Sequence, residues 1–313
     1  MKKRVDQTAV FLDTDIGSDI DDTWALALLL KSPELKLEYA LTATDDVRYR
    51  AKIIAKMLEV GGNTDAAIGI GDPAPDPQAE RRNPYFYLHK QQAAWIEDYR
   101  LEAFPGTVCE NGVETLVEKI MQSEKTPKLL CIGPLSNIRH ALELEPRIAP
   151  KCDFVGMHGS VRVGYHGSPE PSCEYNVMRD AAAAQAVFSA PWKSALITPL
   201  DTCGFLSLDG PNYQRLLGSG DPLAKAVIEN YRNWRNNNAA FWEIRSSVIC
   251  DVVAVYLAFD ESLVEIETLP IRVTDDGFTK IDPLHGKNIR VATRWKDRSA
   301  FEKLVVDRLT GGR

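Results

Sequence analysis

Short apolar runs recur along this chain with an amphipathic or helix-forming stretch between each pair. That alternation restricts the fold more than any other feature of the sequence. "AVFLD" (9–13) reads as a buried strand and "TWALALLLKS" (23–32) as a helix with Leu and Ala on its buried stripe. "LKLEYALTAT" (35–44) is a second strand, and "VRYRAKIIAKMLEVGG" (47–62) an amphipathic helix ended by glycine. "AAIGIG" (66–71) is a third strand. The pattern continues with helix 111–122, strand 128–133, helix 134–146, strand 152–159, helix 179–189 and strand 194–201. Strands alternating with helices predict right-handed βαβ units and a mostly parallel, Rossmann-like sheet with helices on both faces. The tail differs: 264–274, 278–281 and 288–295 read as neighbouring antiparallel strands, closed by a helix over 298–309. No stretch is rich enough in Pro, Gly or Ser to divide the chain, so residues 1–313 are expected to form one α/β domain. The segment 71–92 reads as a long loop, a length that tends to serve function.

Bulk properties exclude several classes. A hydrophobic content of 44% with 26% charged residues is that of an ordinary soluble protein. The net charge is -7 and no basic run of five or more occurs, which argues against nucleic acid as a partner. No apolar stretch approaches the roughly 18 residues of a membrane span. The apolar run near the N-terminus is too short for a signal peptide. The six cysteines (109, 131, 152, 173, 203 and 250) form no C-x-x-C pair, which speaks against a zinc site or a disulfide framework and makes a reducing cytoplasm the expected location.

In open parallel sheets ligands sit beyond the carboxyl ends of the strands. Segments 13–22, 44–46, 132–137 and 157–176 fall at such ends, and Asp251 opens the apolar helix of "VICDVVAVYLAF" (248–259). The first is the most unusual. "FLDTDIGSDIDDTW" (11–24) holds Asp13, Asp15, Asp19, Asp21 and Asp22. Two carboxylates about 4 Å apart repel by roughly 4 kcal/mol at an effective dielectric near 20, so a bound cation, a helix N-terminus or solvent must offset the crowding. Asp21 and Asp22 precede a helix and suit its positive end, but Asp13 and Asp15 leave a buried strand. A calcium loop of the EF-hand type fails on spacing, with Ser18 and Trp24 where Gly and Glu are needed. A haloacid-dehalogenase-like phosphatase also begins with D-x-D at its first strand, which would make Asp13 a nucleophile. Ile16 and Gly17 fit that motif poorly, and "VTDDGFTK" (273–280), the nearest second acidic motif, reads better as a hairpin turn.

The run D-T-D-x-G followed by a carboxylate pair opening a helix resembles the signature of the inosine–uridine-preferring nucleoside hydrolases. The likeness continues in order through "AIGIGDPAP" (67–75), "LLCIGPLSNIRHALELEPRI" (129–148), "FVGMHG" (154–159), "CEYNVMRDAAAAQAVF" (173–188) and "CDVVAVYLAF" (250–259). The resemblance implies a nucleoside hydrolase-like fold and a calcium-dependent hydrolase that splits a ribonucleoside into base and ribose. A cation with oxygen ligands suits such chemistry, because it grips a vicinal diol and lowers the pKa of a bound water. By the resemblance Asp15, Asp22, Asp251 and the Ile132 carbonyl are metal ligands, and Asp15 also takes the proton of the attacking water. Asp21, Glu174 and Asn176 fall on ribose-binding positions; Asp46 stands where the family often has asparagine beside the metal site, to add charge there or to hydrogen-bond the ribose, and Ser168 replaces an asparagine that would reach the sugar's far hydroxyl. Asp13 would support the cluster from behind. A homodimer or homotetramer is the assembly the family implies.

The sequence also departs from the family. The aspartate loop is two residues longer, so Asp21 and Asp22, rather than Asp19, align with the family's pair. Cys250 stands in place of a histidine proposed to protonate the leaving base, and a neutral thiol is a weak donor. His89, His158 and His166 lie in loops from which a substitute could come. Trp242 and Phe241 are candidates to stack on the base, whereas Trp234 reads as helix packing. The loss of that histidine also leaves open a binding protein that keeps the ribose and calcium site without turnover.

Overall fold

The chain is described here by a computed structural model covering residues 7–73, 90–234 and 244–311. Its ten described strands join in one sheet in the order β4-β3-β2-β1-β5-β6-β7-β10-β8-β9. They are β1 (Thr8–Thr14), β2 (Leu35–Thr42), β3 (Ala67–Gly69), β4 (Val108–Cys109), β5 (Lys128–Cys131), β6 (Asp153–Met157), β7 (Ser194–Thr198), β8 (Val264–Val273), β9 (Thr279–Ile281) and β10 (Lys287–Trp295). The first seven are parallel, and β10 adds to β7 in parallel before the sheet turns antiparallel through β8 and β9.

The parallel core and the antiparallel tail agree with the expected α/β architecture. Two details differ. β10 lies between β7 and β8 and is shared by both halves, because a strand of nine residues has two edges to satisfy and its chain order does not say which neighbour takes each. β4, only two residues long, was not legible as a strand.

From β1 the chain steps outward through β2, β3 and β4. It then returns to the other side of β1 at β5 and steps away through β6 and β7. The direction of winding therefore reverses between β1 and β5, and the crevice beyond their carboxyl ends is where such sheets bind ligands. Side chains of β1 serve both layers: Val10 and Leu12 pack into one core and Phe11 into the other. α1 (Asp21–Leu30) is buried on nearly every side, from Asp21 to Leu29, instead of along one stripe. It lies among the helices Pro222–Trp234, Asp251–Leu257 and α2 (Val47–Gly61), which explains an apolar sequence with no polar face.

Candidate active site

β1 delivers Asp13 and Thr14 at its end, a turn follows over 15–20, and α1 starts at Asp21. The helix Asp251–Leu257 packs against α1. Both helices place carboxylates in their first turn, where free backbone N–H groups and the helix dipole favour negative charge. The two starts are also tied together, since the Cys250 amide donates to Asp21 Oδ2 at 3.1 Å. As a result, carboxylate oxygens of Asp21, Asp22 and Asp251 lie within 4.8 Å of one another, although some 230 residues separate them in the chain. Burial pushes all three well above the usual carboxylate range, and repulsion from nearby aspartates adds to the shift: from Asp19 and Asp15 at Asp21, from Asp15 and Asp21 at Asp22, and from Asp21, Asp22 and Asp15 at Asp251.

Asp15 is 5% exposed and stands beside this trio. It is within Coulombic reach of each member, and burial raises it to about 6 against the opposing pull of the Arg50 guanidinium. The set thus contains the three carboxylates expected as ligands, with Asp21, expected at a ribose hydroxyl, drawn into the closest group. Thr14 Oγ1 donates to Asp22 Oδ1 and fixes one of its oxygens. Asp13 is fully buried behind the cluster. Its Oδ1 accepts from Asn137 Nδ2 at 2.7 Å, its Oδ2 has no partner, and burial raises it to about 7. One of its oxygens is thus tied to Asn137 and the residue is fully enclosed, a setting that suits a supporting group better than the nucleophile of the phosphatase alternative.

After β5, the Ile132 carbonyl accepts from Asn176 Nδ2 at 3.2 Å, and the same amide reaches the Met157 carbonyl at 3.1 Å. A carbonyl has two lone pairs, so this bond orients the Ile132 oxygen without exhausting it. Gly133 follows. A Cβ there would sit 2.8 Å from the Asp15 amide nitrogen and 2.9 Å from Asp15 Oδ1, so only glycine lets β5 end this close to the aspartate loop. Glu174 caps the helix Tyr175–Arg179 and receives three backbone amides: Asn176 at 2.7 Å, Gly159 at 2.9 Å and Val177 at 3.1 Å. Burial nonetheless lifts it to about 7.

Other expected residues sit in less committed settings. Asp46 caps α2 through the Tyr49 amide at 3.0 Å and pairs with Lys90 at 2.5 Å. Ser168 Oγ accepts from the Glu170 amide at 3.2 Å within its own loop. Cys250 Sγ donates weakly to the Cys203 carbonyl at 3.6 Å, and the neighbouring Cys203 thiol together with burial pushes its own thiol well up. His158 is fully buried, its Nε2 meets the Gly133 carbonyl at 3.0 Å, and burial lowers it to about 4. It is therefore neutral at physiological pH, donates from Nε2, and holds a loop instead of offering an acid. Trp234 is buried as expected and also donates to the Ser18 carbonyl at 3.1 Å. Trp242, Phe241 and His89 lie outside the described residues.

Sequence reasoning missed Arg50, a guanidinium 2% exposed whose donors enter the aspartate loop, and Arg179, which is Coulombically coupled to Asp15 and Asp45. Helical periodicity in α2 carries a trace of the first, because Arg50 shares the buried side with Ile53, Ile54 and Met57. Behind the cluster, Asn137 ties Asp13 to the Thr42 carbonyl and the Asp72 amide.

Known proteins place this geometry in context. The chain is 22% identical over 324 residues to an Arabidopsis thaliana protein described as probable uridine nucleosidase 2, covering 97% of this chain and 98% of that one. It is 26% identical over 270 residues to the inosine-uridine preferring nucleoside hydrolase of Crithidia fasciculata, covering 84% and 82%. A solved plant nucleoside hydrolase shares the fold with a TM-score of 0.75 at 21% identity, over 97% of this chain and 99% of that one. The family model for inosine-uridine preferring nucleoside hydrolases matches residues 10–303. With that span matched, the chain belongs to the inosine-uridine preferring nucleoside hydrolase family.

Proposed function

We propose that this chain hydrolyses the N-glycosidic bond of a ribonucleoside, releasing free base and ribose, and that a calcium ion held by its acidic cluster is required. The observation that carries the reading is the convergence of Asp21, Asp22 and Asp251 at the crevice where the sheet's winding reverses. The donor set fits a hard cation. It is all oxygen, deeply buried and crowded with like charge, and Asp15 and the oriented Ile132 carbonyl are at hand to complete it. Bound there, such an ion would offset the carboxylates' repulsion, grip the ribose diol and make a nearby water more acidic.

The chain's own residues supply the rest. Asp15, with a pKa of about 6, is ionised at neutral pH and suited to take a proton from the attacking water. The water oxygen becomes the anomeric hydroxyl as the C1′–N bond breaks, and a proton ends on the departing base. Charge builds up on the ribosyl ring in the transition state, so the acidic surroundings favour it over the neutral substrate. Glu174 and Asn176 order the segment after β6 that faces β5. Cys250 contributes a neutral thiol in place of an acid, so departure of the base relies on other groups or on a base that leaves readily.

The test is incubation with a panel of purine and pyrimidine ribonucleosides, following ribose and free base. Native protein should release both, and Asp15→Asn should slow release by roughly 100-fold or more while keeping the folded spectrum. A folded Asp15→Asn variant at native rate, or native protein that binds nucleosides without releasing ribose, would overturn the reading.

A further inference from the structure

The backbone of the lengthened aspartate loop is held in an unusual way. Each of five successive carbonyls accepts from a side chain elsewhere in the chain. Arg50 Nη1 reaches both the Asp15 carbonyl and, at 3.0 Å, that of Ile16. Tyr49 Oη donates to Gly17 at 2.9 Å, Trp234 Nε1 to Ser18 at 3.1 Å and Gln92 Nε2 to Asp19 at 2.7 Å. The donors are themselves joined. Tyr49 Oη accepts from the Gln92 amide at 3.1 Å, and Gln92 Oε1 accepts from Asn230 Nδ2 at 2.6 Å and Thr23 Oγ1 at 3.2 Å. Arg50 also donates through Nε to the Thr44 carbonyl and through Nη2 to Ser18 Oγ, both at 3.0 Å. Gly17 has a φ of 110°, and a Cβ there would meet the Tyr49 ring at 2.6 Å, so the tyrosine closes directly over the turn.

We infer that Arg50, Tyr49, Gln92 and Trp234 form a clamp that presets the loop 15–19, so that Asp15, Asp21 and Asp22 are presented as cation ligands before a cation arrives. Arg50 is its principal positioning residue. The inference rests on the metal reading above. Fixing five peptide planes in a row leaves the loop little freedom to collapse away from its own repelling carboxylates. Without the clamp, that repulsion would splay Asp15 from Asp21 and Asp22. A planar guanidinium forks across neighbouring carbonyls in a way that a lysine ammonium does not.

The sign of the effect separates positioning from charge. Arg50 is a cation beside a cation site, so on charge alone its removal should tighten metal binding. On the clamp it should weaken it. Calorimetric titration of metal-stripped protein with calcium, alongside thermal denaturation, reads both. Arg50→Gln should weaken calcium binding by about tenfold or more, the scale at which groups behind metal ligands act. Arg50→Lys should fail to restore it. Tyr49→Phe, which removes one hydroxyl, should give a smaller loss of the same sign and decides the matter if Arg50→Gln does not fold. Unchanged or tighter binding in either variant, beside normal binding by native protein, overturns the clamp alone. Absence of binding by native protein overturns the metal reading and the clamp with it.

Discussion

At the scale of single residues, the acidic groups are held against their electrostatic preference. Asp13 and Glu174 are each raised to about 7 and Asp15 to about 6, in every case first by burial. A carboxyl with a raised folded pKa binds more protons folded than unfolded between its ordinary value, near 4, and that folded value. Its contribution to stability is therefore intact below about 4 and lost as pH rises through 6 to 7. Metal-stripped protein should melt several degrees higher at pH 5 than at pH 8, and added calcium should narrow the gap by stabilising the ionised cluster at the higher pH. Equal melting temperatures at the two pH values in the stripped protein would contradict these burial shifts. Partly exposed groups such as Glu267 and Asp282, held at about 2 by their hydrogen-bond partners, titrate below this window and do not mask it. At this scale the candidate aspartates stood out as local patterns, D-x-D after an apolar run and an aspartate opening an apolar helix, but their grouping at one site was implied only by the family resemblance, which put Asp21 at the ribose and not in the closest group. The sequence did not disclose Arg50 or the tie from Asn137 to Asp13, since partners as many as 124 residues apart leave no mark in spacing.

At the scale of elements, the site depends on how closely β5 and the loop after β1 approach. Gly133 sets that approach: a methyl group there would press on both the backbone and the carboxylate of Asp15. Gly133→Ala should therefore cost stability by about 1–3 kcal/mol, the usual penalty of overpacking, and should reduce ribose release far more than a surface change of equal cost to stability. Chemical denaturation and nucleoside kinetics on the same samples check this, and native-like values in both would show that the approach is looser than described. Most strands and helices were legible because the apolar runs are short and the helices between them are periodic. α1 was placed correctly as a helix, but its burial on nearly all sides was not legible, since its surroundings come from helices far along the chain. β4 was missed because two residues carry no periodicity, and its pairing with β3 makes it a strand.

At the scale of the whole molecule, the packing of the helix Asp251–Leu257 on α1 joins Asp251 to Asp21 and Asp22, which follow β1 where the winding of the sheet reverses. No helix among the described residues is long and apolar enough to cross a membrane, in keeping with the sequence. On the proposed function, the converged carboxylates hold a divalent ion without which the glycosidic bond is not cleaved. The most direct test is ribose release from a nucleoside by exhaustively chelated protein, with residual metal measured on the same sample, before and after calcium is restored. A loss of about 100-fold is expected on metal removal, with recovery on adding calcium and none in Asp251→Asn. Undiminished release from protein shown to be free of metal would contradict the proposed function.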